Sequence, residues 1–140
     1  MTTKLNPYLN FRDTARQAMQ FYSGVFGGEL TMSTFADMHA SEDPAEQDKI
    51  MHSMLVTEQG LTLMAADTPN SMGYTPGTNF AISLSGEDEA ELRGYWDKLS
   101  EDASITMPLD KAPWGDLFGM LTDRFGVSWL VNIAAGQPTS

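Results

Sequence analysis

Leu5-Asn6-Pro7-Tyr8-Leu9-Asn10-Phe11 places an apolar side chain at nearly every second residue, and the segment that follows changes period. Alternation of this kind marks a half-buried strand. Ala15, Ala18, Met19, Tyr22, Val25 and Phe26 then recur at helical spacing, and Gly27-Gly28 stops the helix. Asp13 or Thr14 is placed to cap it, with Thr14-Ala15-Arg16-Gln17 at capping-box spacing. The same order returns at Thr78-Asn79-Phe80-Ala81-Ile82-Ser83-Leu84, which alternates like the first strand. Glu87-Asp88-Glu89 follows, where a helix N-terminus favours carboxylates. Leu92, Tyr95, Trp96 and Leu99 supply the apolar stripe of that second helix. The aromatic pairs Phe21-Tyr22 and Tyr95-Trp96 occupy matching places in the two helices.

Working outward, Glu29 to Phe35 reads as a strand, and Ile50 to Val56 with Leu61 to Ala66 as a hairpin across Thr57-Glu58-Gln59-Gly60. In the second half, strands are expected at Ile105 to Leu109, Leu117 to Asp123 and Ser128 to Ile133, with Gly126 turning the last pair. Residues 37–48 carry five carboxylates and Pro44 and read as an exposed loop; residues 67–77 form a second loop rich in Pro, Asn and Gly. Each half is therefore strand, helix, then about three strands. An internal repeat of βαβββ modules, over about residues 1–70 and 75–140 of a single domain, is the most economical description.

The chain has 140 residues, 41% hydrophobic and 19% charged, which is the composition of a globular protein with room for one core. Its longest apolar runs are too short to span a bilayer. The start Met1-Thr2-Thr3-Lys4-Leu5 lacks an apolar signal region, so a cytoplasmic location is expected. The absence of cysteine excludes disulfides, thiolate metal sites, iron–sulfur clusters and cysteine nucleophiles. A formal charge of −11 repels nucleic acid and anionic membranes and attracts cations. Solubility alone accounts for such acidity, and a cationic ligand is the sharper alternative.

Strand alternation divides the residues between faces. Leu5, Leu9 and Phe11 form an apolar set for the helix, opposite Asn6, Tyr8 and Asn10. Phe80, Ile82 and Leu84 oppose Asn79, Ala81 and Ser83; Trp129, Val131 and Ile133 oppose Ser128, Leu130 and Asn132. A wet face usually carries Lys and Glu, and these second sets carry neither. Amides, a phenol, hydroxyls and aliphatics suit a pocket with a few orienting polar groups.

Pro7-Tyr8-Leu9-Asn10-Phe11, Phe21-Tyr22-Ser23-Gly24-Val25-Phe26-Gly27 and Met51-His52 leading into Leu63-Met64 resemble a known pattern in the first half. Met107-Pro108-Leu109, Trp114-Gly115 and Thr122-Asp123-Arg124-Phe125-Gly126-Val127-Ser128-Trp129 continue it in the second. The pattern is that of the vicinal oxygen chelate superfamily, the glyoxalase/bleomycin-resistance fold, and within it the PhnB-like branch. The resemblance implies an α+β fold of paired βαβββ modules forming cupped mixed sheets with helices on the outer faces, and a homodimer. Metal enzymes of the superfamily carry His or Glu at four strand positions. Carried over, these fall on Asn6, Met64, Asn79 and Leu130. Two carboxamides, a thioether and an aliphatic chain are poor donors for Zn²⁺, Ni²⁺ or Fe²⁺. No metal or other cofactor is therefore predicted.

Other chemistry is sparse. His39 sits beside Asp37 in the acidic loop and reads as solvated. His52 is either a structural imidazole bonded to backbone or a pocket acid/base or ligand hydrogen-bonder. No nucleophile elbow, P-loop or dinucleotide fingerprint occurs. PhnB-like proteins have been labelled ubiquinone-pathway methyltransferases, but no glycine-rich adenosyl-binding loop supports that label here. Asp123 reads as turn chemistry. Ten methionines, including Met32, Met51, Met54, Met64, Met107 and Met120 on strands, read as core filler. Trp114, following Pro113 in a loop, closes a pocket or a dimer seam.

The expectation is a metal-independent protein that binds or sequesters a small molecule, cationic or aromatic, through Asn6, Tyr8, His52, Met64, Asn79, Trp114 and Leu130. The alternative is a divalent-metal lyase, isomerase or dioxygenase with unorthodox ligands such as His52 and Asp67. A third is a dimeric interaction protein with vestigial cups.

Overall fold

The structure, a computed structural model, describes residues 3–39, 41–77 and 79–135. It divides into two compact units, Met1–Pro76 and Gly77–Ser140. The first contains β1 (Tyr8–Phe11), α1 (Ala15–Phe26), β2 (Glu29–Thr34), a short 3₁₀ turn at Pro44–Glu46, β3 (Ile50–Val56) and β4 (Thr62–Asp67). The second contains β5 (Ile82–Gly86), α2 (Glu89–Leu99), β6 (Ser104–Lys111), β7 (Leu117–Thr122) and β8 (Ser128–Ile133). The sheets run β1-β4-β3-β2 and β5-β8-β7-β6. In each, the strand before the helix pairs in parallel with the last strand and the remaining pairs are antiparallel. These are the expected α+β modules with mixed sheets.

The hairpin turn between the last two strands of each unit is the same device twice. In the first, Thr57 N–H bonds the Leu61 carbonyl, Gly60 N–H bonds the Thr57 carbonyl, and Leu61 N–H bonds Thr57 Oγ1 at 3.1 Å. In the second, Asp123, Gly126 and Val127 make the same three bonds, the last to Asp123 Oδ1 at 3.0 Å. Gly60 and Gly126 hold φ of 89° and 88°, a left-handed geometry that glycine adopts without penalty. Asp123 does more than its threonine counterpart. It is buried, and its second oxygen accepts the Trp129 indole N–H at 2.8 Å.

Each sheet gives one face to its helix. Leu9, Phe11, Leu55, Leu63 and Ala65 are buried with Ala15, Ala18, Met19, Tyr22 and Val25 of α1. Leu92, Trp96 and Leu99 of α2 are buried with Leu121, Trp129, Val131 and Ile133. Gly119 must be glycine here, because a Cβ would sit 2.7 Å from the Trp96 ring.

Several elements depart from the periodic reading. β1 starts at Tyr8 and leaves Leu5 fully exposed at 100%, because Pro7 has no N–H to extend the ladder and restricts Asn6. Only the Pro7 carbonyl joins in, accepting from Met64 N–H. β5 starts at Ile82, so Phe80, expected against the helix, is 57% exposed; Thr78 lies outside the described residues. β6 is longer than expected, and its pairing with β7 is irregular between Met107 and Asp110, where Pro108 supplies no donor. An extra residue at Met51 lets both Ile50 and Ser53 face the helix.

The capping of α1 also differs. Thr14 makes no side-chain cap bond. Instead Asp67, at the far end of β4 and 5% exposed, accepts Ala15 N–H on Oδ1 and Ile50 N–H on Oδ2, both at 3.0 Å. In α2 the cap is local, with Asp88 accepting Glu91 N–H at 3.1 Å. The acidic loop is partly structural as well. Glu46 is buried, takes the Ser41 hydroxyl and the Asn70 N–H, and is held below the usual carboxyl range, chiefly by the Asn70 bond.

Asp67→Ala leaves two buried backbone donors without a partner. At roughly 1–3 kcal/mol per donor, it should lower the unfolding free energy by about 2–6 kcal/mol in a urea titration. Asp88→Ala, which removes an exposed cap, should cost only about 1 kcal/mol. Equal effects would show that the long-range cap carries no special weight.

Candidate functional site

With one face of each sheet taken by a helix, the opposite face is where functional side chains can meet a ligand. Strand register identifies them. In the first unit a row crosses the sheet from Tyr8 to Met64, Met54 and Thr31. Directly opposed side chains on antiparallel strands have Cβ atoms about 4.5–5.5 Å apart, so Met54 and Met64 form one contiguous floor. His52 lies on the same face as Met54, opposite Ser33. Its ring centroid is 6.2 Å from that of Tyr8, with the planes tilted by 32°. Among the described residues, neither ring nitrogen of His52 has a hydrogen-bond partner, so the backbone-bonded structural imidazole is not what the fold builds. Tyr8 is 46% exposed; His52, Met54 and Met64 are half-buried.

The second unit repeats the row with Ser83, Leu130, Met120 and Met107. One step along lies Ser85, Asn132, Phe118 and Asp110. Trp114, from the loop between β6 and β7, reaches this second row. Its indole Nε1 donates to Asn132 Oδ1 at 3.3 Å, and its ring meets Phe118 edge-on with centroids 5.3 Å apart. Asn132 Nδ2 donates in turn to Asp116 Oδ2 at 3.0 Å, and Asp116 Oδ1 accepts Ala135 N–H at 2.9 Å. Those two donors, the backbone one foremost, hold the Asp116 carboxyl below its ordinary value.

The fold therefore brings Tyr8, His52 and Met64 together on one unit's open face, and Leu130 and Trp114 on the other's. Asn6 is half-buried two residues ahead of β1. Asn79 is exposed and lies ahead of β5. Register makes Ser83 the counterpart of Tyr8, so Ala81 rather than Asn79 corresponds to Asn6. The unorthodox metal pair fails. Asp67 is buried on the helix side with both oxygens engaged, whereas His52 is on the open side. His39 is exposed, and the neighbouring Asp37 is bonded to Thr34. The methionine reading needs correction too. Met54, Met107 and Met120 floor the open faces beside Met64, which was expected there, and among the described residues the fully buried methionine is Met19 of α1. Phe118, Met120 and the anchoring role of Asn132 were not predicted as site features, though alternation along β7 would have put the first two on this face.

Comparison with known proteins places this geometry. Residues 4–131 match the model of the Glyoxalase/Bleomycin resistance protein/Dioxygenase superfamily. Protein YjdN of Escherichia coli is 30% identical, over 96% of this chain and 98% of its own length. The crystal structure of protein PA1353 from Pseudomonas aeruginosa superposes with a TM-score of 0.83 at 39% identity, covering 94% of this chain and 98% of that one. A PhnB protein from Bacillus cereus, which carries a provisional assignment as 3-demethylubiquinone-9 3-methyltransferase, gives 0.76 at 27% identity over 94% of this chain and 100% of its own.

Trp114 is exposed while Trp96 and Trp129 are buried, so quencher-accessible emission reports its setting. A carboxyl with a depressed folded pKa stabilises above its unfolded value and loses that contribution as pH falls through the folded one. Accessible emission should therefore stay constant from neutral pH down to the ordinary 3.8 and change only below it, with Asp116→Asn removing that step. A transition near neutral pH would assign the setting of Trp114 to another group.

Proposed function

Because the chain belongs to the Glyoxalase/Bleomycin resistance protein/Dioxygenase superfamily, we propose that it is a PhnB-like protein that binds or sequesters a small molecule without a metal ion. The observation that carries this reading is the make-up of the two central rows, Tyr8-Met64-Met54-Thr31 and Ser83-Leu130-Met120-Met107. They hold one phenol, two hydroxyls, four thioethers and an aliphatic chain, with no charge. Methionine adapts its shape to irregular apolar ligands, which favours loose recognition over one rigid fit.

The residues present do not fit a divalent metal. The positions implied by the family, Asn6, Met64, Asn79 and Leu130, offer no imidazole or carboxylate. Among the described residues no three His, Asp or Glu side chains group to hold an ion.

On the first unit, the Tyr8 hydroxyl and the unpartnered His52 imidazole are the polar pole beside a thioether floor, with Asn6 at the strand entrance. On the second, Leu130 supplies the floor, Trp114 an aromatic wall and Asn79 an exposed amide. The −11 charge favours a cation among candidate ligands, planar or amphipathic in shape. A homodimer and a cytoplasmic location complete the proposal; among the described residues no helix is long and apolar enough to cross a membrane. Sedimentation equilibrium should give about twice the 15.4 kDa of one chain.

A thermal-shift panel of cationic aromatics, quinones and glutathione conjugates tests the reading. A ligand at 100 times its Kd adds about 2.7 kcal/mol, which for a domain of this size raises Tm by on the order of 10 °C. The shift should survive dialysis against a chelator, and His52→Ala should weaken binding without lowering the ligand-free Tm. About one divalent ion per chain persisting through dialysis, with no shift in its absence, would replace this reading by the metal-enzyme one.

A further inference from the structure

Trp114 is 60% exposed, yet it is not loose. The turn that carries it is closed by Gly115 N–H to the Ala112 carbonyl at 2.9 Å and Ala112 N–H to the Asp116 carbonyl at 2.7 Å. Its indole nitrogen is tied to Asn132, Asn132 to Asp116, and Asp116 to the backbone after β8. Holding a large apolar ring in water gains nothing from burial, at a forfeited 25 cal/mol or so per Å². A ring fixed by a chain of hydrogen bonds with a face uncovered is set for a partner outside the chain.

The electrostatics select that partner. Asp110 stands directly opposite Phe118 in the sheet, and Asp116 stands behind Asn132. The remaining positions on this face of β5 to β8 are Ser83, Ser85, Ser104, Met107, Met120, Thr122, Ser128 and Leu130, none of them cationic. Lys111, next to Asp110, pairs with Leu117 and alternates to the helix side. An indole and a phenyl ring bracketed by two carboxylates attract a cation to the ring faces and repel an anion.

We infer that the exposed ring of Trp114, braced edge-on by Phe118, is the stacking ledge for a planar aromatic cation of the N-alkylpyridinium or N-alkylquinolinium type, with Asn132 and Asp116 as its positioning residues. This rests on the reading that the open faces bind small molecules, and it names the class for one of them. Asp110 contributes charge, whereas Asn132 contributes the angle of the indole.

Titration with N-methylquinolinium, read by quenching of the accessible tryptophan, tests it on the intact protein. Wild type should show saturable quenching, with neutral quinoline weaker by about tenfold, the size of a cation–π contribution. Because Trp114→Ala and Trp114→Phe remove the accessible emitter, their binding is compared with wild type by isothermal titration calorimetry. Trp114→Ala should give no saturable heat. Trp114→Phe, which keeps a ring but loses the Nε1 donor, should bind between the two. Asn132→Ala should weaken binding several-fold and lower the fluorescence anisotropy of the accessible indole, which a purely structural role would not do. Asp110→Asn should weaken binding and leave that anisotropy unchanged. Saturable binding that Trp114→Ala leaves intact overturns the ledge but not small-molecule binding. Linear quenching, equal for quinoline and its cation, also overturns the ledge. Failure of every compound in the thermal-shift panel, by contrast, counts against the binding reading itself.

Discussion

A four-stranded sheet covered by a helix has one face left for chemistry, and the period-two backbone decides residue by residue what goes there. Everything functional in this chain follows from that constraint. The parallel pairings of β1 with β4 and β5 with β8 fix the register at the centre of each sheet, and the antiparallel partners extend it. Slipping one residue would exchange Leu9 for Tyr8 and Trp129 for Leu130, burying the polar set and exposing the core. Register and site are one property.

The two units reach the same topology with different local chemistry. The hairpin turn needs an acceptor at its first residue; Thr57 supplies a hydroxyl and Asp123 a carboxylate. Asp123 has an oxygen to spare, and spends it on the Trp129 indole, tying the turn into the core. The helix caps diverge further. α2 is capped by its own neighbour, Asp88, whereas α1 borrows Asp67 from the last strand of its sheet. At the position register assigns to Asp67, the second unit has Ile133. The first unit thus joins its helix to β3 and β4 by a buried polar tie, and the second places a buried aliphatic side chain at the corresponding position.

These differences account for what was legible in the sequence. Periodic signals gave both helices, both hairpins and the division of β8 into faces, because alternation and helical spacing are local properties. The long-range cap was hidden: the capping-box spacing at Thr14 was a sound local signal, and nothing near it reveals that a carboxylate fifty residues on takes its place. Pro7 explains why Leu5 broke the pattern, and its missing donor was readable but outweighed by the alternation. The methionines were misread for a different reason. Residue type says apolar, and apolar says core, yet Met54 has the parity of His52 rather than of Ser53, as Met64, expected on the open face, has that of Tyr8. Parity should have outranked composition. Trp114 reads from sequence as closing a pocket or a dimer seam, but its anchoring by Asn132 and Asp116 joins a loop to a strand end and has no sequence signature.

The acidity of the chain shows most clearly how composition and site can part. Three carboxylates are buried among the described residues, and a buried carboxylate is where a metal centre would ordinarily be sought. Each is already occupied: Asp67 by Ala15 and Ile50 N–H, Asp123 by Phe125, Val127 and the Trp129 indole, Glu46 by Ser41 and Asn70. Their oxygens are held by oriented donors within the fold, so none of the three is free to ligate an ion. Of the titratable groups described on those faces, His52 is the one half-buried against an aromatic neighbour with no hydrogen-bond partner, and Asp110 and Asp116 flank an aromatic pair. What those faces present is rings, amides and a single imidazole.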